Sequence, residues 1–358
     1  TYHLLLNCGA KVMVIFEISY IFAEKISKKI TMKKILGIGN ALVDALVQVE
    51  NDLILNELQL PKGSMQLVDT ERYLEIKKML DLLHPQRTTG GSACNTILAI
   101  ANLGAETGLI GKVGNDETAQ FFEQSFKRQG VNTCLLCDKD LPTGVASTLI
   151  SPDGQRTFGT YLGAAANLRP EDVVPEWFDG YDYFYIEGYL VQNHALIRRA
   201  VELAHEAGLK VCIDLASYNI VQDDREFFAE LLQQTDIVFA NEQESQAFTG
   251  IDDAQANVEA LACLCEIAVV KIGKKGVLVR RGEEQIHCPA REVPHVVDTT
   301  AAGDYFSAGF LYALATGCSL MQCAALGSLL AGHIIEVVGT ALSAETWKKI
   351  KAEALPKA

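Results

Sequence analysis

The sequence has few basic residues for its length and no apolar run long enough to cross a membrane. Among 358 residues, Lys and Arg number 31 against 45 Asp and Glu, which gives a net charge of −14. Broad nucleic-acid or anionic-membrane surfaces depend on an excess of Lys and Arg, so the composition argues against both partners. The apolar segments 12–16 and 18–23 are separated by Glu17, and neither reaches the length of a membrane span. We therefore expect a soluble, globular protein.

The sequence also lacks the cysteine spacing of a disulfide framework or a zinc site. Its ten cysteines are scattered through apparent strands and helices, unlike the paired cysteines of a short secreted chain. Cys134 and Cys137 have Cys-x-x-Cys spacing, yet no second pair or nearby histidine run completes a zinc site. Cys263 and Cys265 lie on an apolar segment and are expected in the core. The pattern favours a reduced, cytoplasmic protein.

Residues 1–31 require a separate interpretation from the rest of the chain. They lack the basic start and the small-residue cleavage site of a signal peptide. Met32, Lys33 and Lys34 follow them and lead directly into the first apolar strand. We predict that the natural start is Met32 and that residues 1–31 are a non-native or disordered extension.

Six apolar runs of strand length alternate with amphipathic, helix-like segments. The runs are 35–39, 108–113, 183–186, 211–214, 237–240 and 267–272. Such alternation is typical of an α/β fold in which a parallel sheet is covered on both faces. Residues 42–68 and 134–162 interrupt the alternation, the second with a Pro152-Asp153-Gly154 turn between β-rich runs. We expect both interruptions to form a separate small sheet.

Small residues and a carboxylate stand together in Asp298-Thr299-Thr300-Ala301-Ala302-Gly303-Asp304, directly before the apolar, helix-like stretch 305–314. The first N–H groups of a helix have no partner within it, and side chains as small as Ala and Gly let an anion approach them. Residues 301–303 therefore predict an anion pocket, beside which Asp304 could accept a proton. An Asp-capped helix with small residues for close packing is the structural alternative.

A second glycine-containing junction occurs at Thr89-Gly90-Gly91-Ser92-Ala93-Cys94-Asn95, followed by an apolar stretch that ends before Gly104. This order predicts a glycine turn, a helix and a glycine stop. Backbone can approach a polar ligand at such a turn, and Asn95 in the first helical turn can donate and accept hydrogen bonds. An ordinary loop-to-helix junction has the same pattern, so its meaning depends on the rest of the chain.

Together, the two segments resemble the two signature regions of the ribokinase/PfkB family of carbohydrate and nucleoside kinases, from about Lys33 to near the C-terminus. Adenosine kinase-like bacterial members are the most similar group, through Gly37-Ile38-Gly39-Asn40-Ala41-Leu42-Val43-Asp44, Lys62-Gly63-Ser64-Met65, Asp153-Gly154-Gln155-Arg156-Thr157, Tyr161-Leu162-Gly163-Ala164 and Glu187-Gly188-Tyr189-Leu190. The resemblance implies a three-layer α/β/α sandwich with a mainly parallel central sheet, within one kinase domain over residues 32–358. It also implies a small β-sheet lid, from about 42–68 and 134–167, which closes and excludes water before transfer.

The resemblance further implies phosphate transfer from ATP to an alcohol and assigns the catalytic residues. Asp304 corresponds to the catalytic base, and Arg156 corresponds to an arginine that reaches the phosphates from the lid. The anion hole corresponds to Ala301, Ala302 and Gly303. Because phosphoryl transfer has a loose transition state, positioning and charge stabilisation matter more than the strength of the base.

On the acceptor side, the resemblance implies a polar pocket made by Asn40, Asp44, Gly90, Gly91 and Asn95. Asp44 corresponds to the carboxylate that binds substrate hydroxyls. One carboxylate can accept hydrogen bonds from two vicinal hydroxyls at once, which would hold a ribose or a similar sugar in register for attack.

On the nucleotide side, Asn241 and Glu244 match the family's Asn-x-x-Glu element, which organises magnesium and phosphate largely through water. Magnesium keeps several waters and needs few direct carboxylates, so Glu244 acting through water suits it. Lys271, Gly273 and Gly276 fall on the turn where the family contacts the nucleotide. The implied cofactors are ATP and Mg²⁺, and the family commonly adds a monovalent cation such as K⁺.

One residue departs from the family pattern, since Ala301 stands where a glycine is usual. An alanine is tolerable there with helical backbone angles, but it is costly where φ must be positive. The sequence alone leaves both geometries open.

The leading function is an ATP-dependent kinase that phosphorylates a primary hydroxyl of a ribonucleoside, with the 5′-hydroxyl of adenosine as first candidate. A sugar kinase for ribose, fructose or 2-keto-3-deoxygluconate would use the same Asp44 and the same anion hole. A non-catalytic ligand sensor is the alternative from another class, and the intact Asp304 and Asp44 argue against it. A dinucleotide-binding oxidoreductase is weaker still, because Leu42 stands where the third glycine of that fingerprint is expected.

Substrate choice and assembly remain open in the sequence. The candidates to stack on a nucleoside base are Met65, Phe158, Tyr161 and Tyr189, and packing in the core or the lid would account for them equally well. A homodimer through the lid sheet would follow if its edge strands paired with a second copy, although such edges are often blunted.

Overall fold

The computed structural model describes residues 32–153 and 155–354. The predicted extension, residues 1–31, and Gly154 of the predicted turn lie outside the described residues. Within the described part, two sheets and the helices around them form the fold, and none of those helices is long and apolar enough to span a membrane.

The larger sheet has nine strands in the described part of the chain. With all strands numbered in chain order, they are β1 (Ile35–Ile38), β5 (Thr107–Val113), β6 (Asn132–Cys137), β9 (Tyr183–Glu187), β10 (Lys210–Asp214), β11 (Ile237–Asn241), β12 (Ile267–Lys271), β13 (Val277–Arg281) and β14 (Glu284–Cys288). Their order across the sheet is β14-β13-β12-β11-β10-β9-β1-β5-β6. The strands from β12 to β6 pair in parallel, while β13 and β14 pair antiparallel. All six predicted apolar runs fall in this sheet.

Helices cover both faces of the larger sheet and one face of the smaller one. They are α1 (Leu53–Glu57), α2 (Thr70–Asp81), α3 (Ser92–Leu103), α4 (Glu117–Arg128), α5 (His194–Glu206), α6 (Tyr218–Asp223), α7 (Arg225–Leu232), α8 (Glu242–Thr249), α9 (Ala254–Ala262), α10 (Ala302–Ala315), α11 (Leu320–Ile334) and α12 (Ala344–Ala354). Short 3₁₀ turns occur at Gly163–Asn167, Pro170–Asp172, Pro175–Trp177, Gly188–Gln192 and Gly273–Lys275. Polar side chains start several helices, as where Asp116 accepts from the backbone N–H of Ala119.

Alternate residues of each buried strand pack into separate cores on the two faces. In β1, Ile35 belongs to a core with α3, α4, α10, α11 and α12, whereas Leu36 and Ile38 belong to a core with α5 to α9. Side chains on a strand point alternately to opposite faces, so a strand buried on both faces must be apolar throughout. The result is the predicted three-layer α/β/α arrangement.

The five remaining strands form a small sheet at one end of the larger one. They are β2 (Leu42–Gln48), β3 (Met65–Leu67), β4 (Gln86–Gly90), β7 (Gly144–Ile150) and β8 (Arg156–Tyr161), in the order β3-β8-β7-β2-β4. One face packs on α1 and α2 through a third core. The opposite face carries Leu42, Asp44 and Phe158 towards a cleft.

The small sheet differs from the predicted lid segments at two strands. The second lid segment is predicted to begin at Cys134. In the structure, residues 132–137 instead form β6, which continues the larger sheet beside β5. The polar strand β4 joins the small sheet through pairing with β2, although it lies outside both predicted segments. The first difference arises because α4 connects β5 to β6 as parallel neighbours, so β6 extends the larger sheet and does not enter the small one. The second arises because an edge strand with exposed residues carries little hydrophobic signal.

Candidate active site

A cleft of about 1330 Å³ lies between the small sheet and the carboxyl ends of the parallel strands. Four strands end in polar residues that line it, namely Glu187, Asp214, Asn241 and Lys271. Ligands of open α/β sheets bind at this edge, where loops and helix N-termini converge. The cleft wall includes every site residue predicted from the sequence except Gly90 and Arg156.

Asp304 lies in the first turn of α10 and is held by the first turn of α3. Ser92 Oγ donates to Asp304 Oδ1 at 2.7 Å, and Asn95 Nδ2 donates to Asp304 Oδ2 at 2.9 Å. The two signature segments therefore meet at this carboxylate. Burial raises the pKa of Asp304 to about 6, although the bonds from Asn95 and Ser92 oppose the shift. At neutral pH the carboxylate is thus mostly ionised and able to accept a proton.

The backbone at Ala301 has the left-handed geometry that the sequence left open, with φ of 61° and ψ of 7°. It forms the N-cap of α10, and the following N–H, of Ala302, donates to Thr299 O at 3.2 Å. An anion at this helix start would therefore depend on the N–H groups after Ala302, beginning with Gly303. Because Gly303 has no side chain, the approach to those groups stays open.

We expect Ala301→Gly to raise the free energy of unfolding by about 1 kcal/mol, because glycine adopts positive φ without the strain of a Cβ. Chemical denaturation measures the difference. Ala302→Gly is the matched control, since Ala302 is already helical and glycine there should destabilise. A loss of stability in Ala301→Gly would contradict the strain at this residue.

Arg156 contacts the start of the loop 298–303, which we call the anion loop. Arg156 Nη2 lies 2.6 Å from Asp298 Oδ2, and Nη1 donates to Thr300 Oγ1 at 3.4 Å. Asp298 also accepts from the backbone N–H groups of Thr300 and Gly339, at 3.0 and 2.9 Å. The arginine thus connects the small sheet to the anion loop from outside the cleft wall. A contact between Arg156 and a bound phosphate would require this ion pair to open.

Asp44 projects from β2 into the cleft, and Gly90 makes room for it. A Cβ at Gly90 would lie 2.2 Å from Asp44 Oδ1, so the glycine supports the site without lining it. Thr340 Oγ1 donates to Asp44 Oδ2 at 3.4 Å. Burial raises the pKa of Asp44 to about 7, while the Thr340 bond and the charge of Arg156 oppose the shift.

Glu187 organises the polar residues around Asn40, although the sequence motifs give it no site role. Its side chain is buried, and it accepts from Asn40 Nδ2 at 2.5 Å and from the backbone N–H of Ala93 at 3.0 Å. It therefore fixes Asn40 against the start of α3. Gly91 completes this junction with φ of 98°, and a Cβ there would lie 2.2 Å from Asn40 O. A glutamate at the end of an otherwise apolar strand was the signal that could have identified it.

Asn241 and Glu244 form a capping box at the start of α8. Glu244 Oε2 accepts from the Asn241 backbone N–H, Glu244 Oε1 accepts from Asn241 Nδ2, and Asn241 Oδ1 accepts from the Glu244 N–H, at 2.7, 2.7 and 2.8 Å. The pair thus caps α8, and the Glu244 side chain is buried. Burial raises the pKa of Glu244 to about 7, although the charge of Lys271 opposes the shift.

The cleft fits a magnesium ion held through water rather than by a cage of protein ligands. Among the described residues, no group of three or more His, Cys, Asp or Glu side chains is placed to hold a metal. Glu244 is a buried carboxylate whose charge a nearby cation would stabilise, and both its oxygens are oriented by Asn241. Magnesium keeps several of its waters in such sites. Glu244 and Asn241 are the residues that would hold those waters.

The end of β12 and the turn after it bring Lys271 and two glycines to the cleft wall. Gly273 and Gly276 have φ of 58° and 105°, and a Cβ at Gly276 would lie 2.0 Å from Cys288 O. Lys271 Nζ lies 2.8 Å from Asp214 Oδ2. Asp214 belongs to none of the sequence motifs that predict the site. The glycines therefore permit a tight turn, while the lysine forms an ion pair inside the cleft.

Three of the four candidate base-stacking residues line the cleft, namely Met65, Phe158 and Tyr189. Tyr161 belongs instead to the core of the small sheet, where it is buried and stacks on Tyr73 with ring centroids 4.6 Å apart. The period-two alternation of β8 explains the split, because Phe158 and Tyr161 face opposite sides of the sheet.

The chain is similar to known kinases in sequence and in structure. Residues 63–347 match the pfkB family of carbohydrate kinases. A probable sugar kinase from Rhizobium etli has a TM-score of 0.80 and 32% identity, over 90% of this chain and 99% of that one. Adenosine kinase from Sinorhizobium meliloti has a TM-score of 0.79 and 33% identity, again over 90% and 99%. Aminoimidazole riboside kinase from Salmonella typhimurium is 31% identical over 239 residues, which cover 63% of this chain and 73% of the relative.

These similarities agree with the features described above. The fold has the mainly parallel sheet and the small second sheet that the resemblance implied, and the two signature segments meet at one carboxylate in the cleft. The predicted fold and family are confirmed. The chain belongs to the pfkB family of carbohydrate kinases and is a phosphotransferase with an alcohol acceptor.

Proposed function

We propose that this kinase transfers the γ-phosphate of ATP to the 5′-hydroxyl of adenosine or a closely related ribonucleoside. The observation that carries the proposal is the apolar wall beside Asp44. It consists of Leu42, Met65, Leu67, Phe158 and Leu162. A free sugar carries hydroxyls around its ring and has no aromatic base to cover this wall, whereas a nucleoside offers hydroxyls to Asp44 and an aromatic base to the wall.

The relatives support a nucleoside acceptor without deciding between bases. Similar proteins include an adenosine kinase and an aminoimidazole riboside kinase, and both names describe a ribose that carries a heterocycle. The similar set also contains proteins named ribokinase and sugar kinase. The apolar wall is therefore the feature that favours a nucleoside here.

In the proposed reaction, the acceptor 5′-oxygen forms a bond to the γ-phosphorus while the bond from that phosphorus to the β-phosphate oxygen breaks. ADP leaves with the electron pair of the broken bond, and the hydroxyl proton passes to Asp304. Asp44 holds the ribose hydroxyls, and the N–H groups at the start of α10 stabilise charge on the transferring oxygens. Bound Mg²⁺ would neutralise phosphate charge, and Glu244 and Asn241 would hold its waters. The proposal also includes a monovalent cation such as K⁺.

We expect kcat/KM for adenosine at saturating MgATP to fall as the pH falls through about 7 and about 6, the raised pKa values of Asp44 and Asp304. Both groups act as carboxylates. Protonation of Asp44 removes the acceptor for the ribose hydroxyls, and protonation of Asp304 removes the base. On the acid side of the pH profile, kcat/KM should therefore fall by more than tenfold per pH unit. Rates from pH 5 to 9 measure this fall. In Asp44→Asn, the fall on the acid side should drop to tenfold per pH unit. If wild-type kcat/KM began to fall only near pH 4, the raised pKa values would be contradicted.

An acceptor panel tests the nucleoside assignment. ADP release with MgATP is measured for adenosine, other ribonucleosides, ribose, fructose and 2-keto-3-deoxygluconate, each with and without K⁺. The proposal expects the highest kcat/KM for adenosine. A preference for a free sugar would keep the phosphotransferase and replace the acceptor, whereas no turnover with any acceptor would favour a ligand sensor.

Two further properties belong to the proposal. Among the described residues, Cys94, Cys134, Cys137 and Cys212 carry thiols rather than disulfides, which agrees with a reduced, cytoplasmic setting. The small sheet ends in β3 on one side and β4 on the other, and pairing of either edge with a second copy would give a homodimer.

A further inference from the structure

A buried ion pair between Lys271 and Asp214 lies beside the anion loop. The family resemblance implies a role for Lys271 but none for Asp214. Lys271 ends β12 and Asp214 ends β10, and Lys271 Nζ lies 2.8 Å from Asp214 Oδ2. The two side chains are only 16% and 7% exposed. Since β10 and β12 flank β11, the pair bridges two strands that are not neighbours.

The pair is placed against the start of α10. A Cβ at Gly303 would lie 3.1 Å from Lys271 Nζ, the nearest side-chain atom to that position. The ammonium is therefore next to the helix N–H groups that would receive the transferring phosphate. Any side chain at position 303 would come between them, which gives a second reason for a glycine beside Asp304.

The ammonium has donors to spare in the described structure. It carries three N–H bonds, and one hydrogen bond joins it to the described residues, the bond to Asp214 at 2.8 Å. Burial lowers the pKa of Lys271, but attraction to Asp214 and Glu244 outweighs this effect and leaves the pKa above its ordinary value. A charged donor group with unused N–H bonds thus faces the cleft at neutral pH.

Asp214 is itself fixed by two further donors, one on the oxygen that bonds Lys271 and one on the other oxygen. Ser307 Oγ donates to Asp214 Oδ2 at 3.3 Å, and the backbone N–H of Ala216 donates to Asp214 Oδ1 at 3.0 Å. Ser307 lies one turn after Gly303 on α10. The carboxylate is therefore tied to the same helix whose start would bind the phosphate.

We propose that Asp214 is a positioning residue that holds the Lys271 ammonium over the anion loop, where Lys271 binds the oxygens of the transferring γ-phosphoryl group. This inference rests on the proposed phosphate transfer but not on adenosine as the acceptor. The ammonium supplies a positive charge beside the neutral N–H donors of the helix while negative charge is redistributed on the phosphoryl oxygens. Asp214 prevents the ammonium from turning towards Glu244 or Asp304. Its effect is expected on kcat more than on substrate binding.

Four variants test the pair: Lys271→Met, Lys271→Arg, Asp214→Asn, and the double variant with methionine and asparagine. We expect Lys271→Met to lower kcat by about 10²-fold, the loss found when one charge-stabilising donor is removed. The dissociation constant of MgADP, which lacks the γ-phosphoryl group, should change by less than about threefold. Lys271→Arg should recover part of kcat, because it keeps the charge.

Non-additivity separates positioning from mere stability. Asp214→Asn should lower kcat by about 10-fold alone, yet cause no further loss of kcat in the Lys271→Met background, since Asp214 acts through the lysine. Methionine and asparagine together remove both charges, so the double variant avoids an unpaired buried carboxylate and should fold. Melting temperatures check folding in each case.

The ion pair of Lys210 and Asp236, with Nζ 2.6 Å from Oδ1, provides the control at the opposite end of the strands. Lys210→Met and Asp236→Asn make the same chemical changes and should leave kcat unchanged. The inference would be overturned if the losses in kcat of the two single variants were additive in the double variant. It would also be overturned if Lys271 variants lowered only the melting temperature, or weakened MgADP binding by as large a factor as they lowered kcat. Failure of the adenosine assignment would instead appear in the acceptor panel while the Lys271 variants still lower kcat with the acceptor that is turned over.

Discussion

Replacing Asp304 with asparagine is expected to lower kcat by about 10²–10⁴-fold, the contribution typical of a positioned general base. Ser92 and Asn95 donate to different oxygens of the carboxylate, at 2.7 and 2.9 Å, so the amide oxygen of asparagine can accept from only one of them. Asparagine also cannot accept the hydroxyl proton. The KM values of both substrates should change little, because the residue acts on the proton that moves in the transition state. Steady-state kinetics with MgATP and the preferred acceptor measure the change.

Folding is not expected to account for the loss in Asp304→Asn. The substitution removes a buried carboxylate whose burial raises its pKa to about 6, so its thermal stability at pH 7 should equal or exceed that of the wild type. Asp253→Asn is the matched control, because Asp253 caps α9 outside the cleft and asparagine caps equally well. Equal kcat in Asp304→Asn and wild type would remove the proposed base.

Asp44→Asn is expected to lower kcat/KM for adenosine by about 10²–10³-fold, since hydrogen bonds to a charged group contribute roughly 1.5–3 kcal/mol each. Within the described part of the chain, Thr340 is the one side chain that donates to this carboxylate, at 3.4 Å, so Asp44 can accept from two substrate hydroxyls. An amide accepts through one oxygen and presents N–H donors on the other side. The loss should therefore be concentrated in substrate recognition.

Comparison with 2′-deoxyadenosine makes the Asp44 prediction specific. If the carboxylate binds the ribose hydroxyls, the wild type prefers adenosine over the deoxynucleoside by about 10-fold or more, and Asp44→Asn loses most of that preference. Asp69→Asn is a control beside the same sheet, since Asp69 caps α2 and is exposed. An equal loss for both nucleosides in Asp44→Asn would show that Asp44 does not contact the hydroxyls.

The sequence predicted the parallel sheet well because its strands are buried on both faces and leave continuous apolar runs. It was less informative at the edges, where β6 continues the larger sheet and the polar β4 joins the small one. Tyr161 shows the same limit, since a motif cannot tell which face of a strand a side chain occupies. The face is set by register with β7 and by packing on Tyr73.

The signature segments brought Asp304 and Asn95 together correctly, because each is a continuous motif at a helix start. Glu187 and Asp214 were not predicted, since each is a single acidic residue at the end of an apolar strand and gains its partners only from distant parts of the chain. The position of Arg156 also depends on a long-range contact, with Asp298. Short motifs therefore predicted the centre of the site, whereas the residues that position it required the tertiary structure.

Product identification tests the central claim most directly. The protein is incubated with MgATP and adenosine, and the product is analysed by mass spectrometry and by phosphorus NMR, which reports the attachment site through coupling to the ribose protons. The account predicts ADP together with AMP phosphorylated at the 5′-hydroxyl, and loss of this product in Asp304→Asn. Absence of AMP at saturating substrate, or phosphate attached to a different hydroxyl, would contradict it.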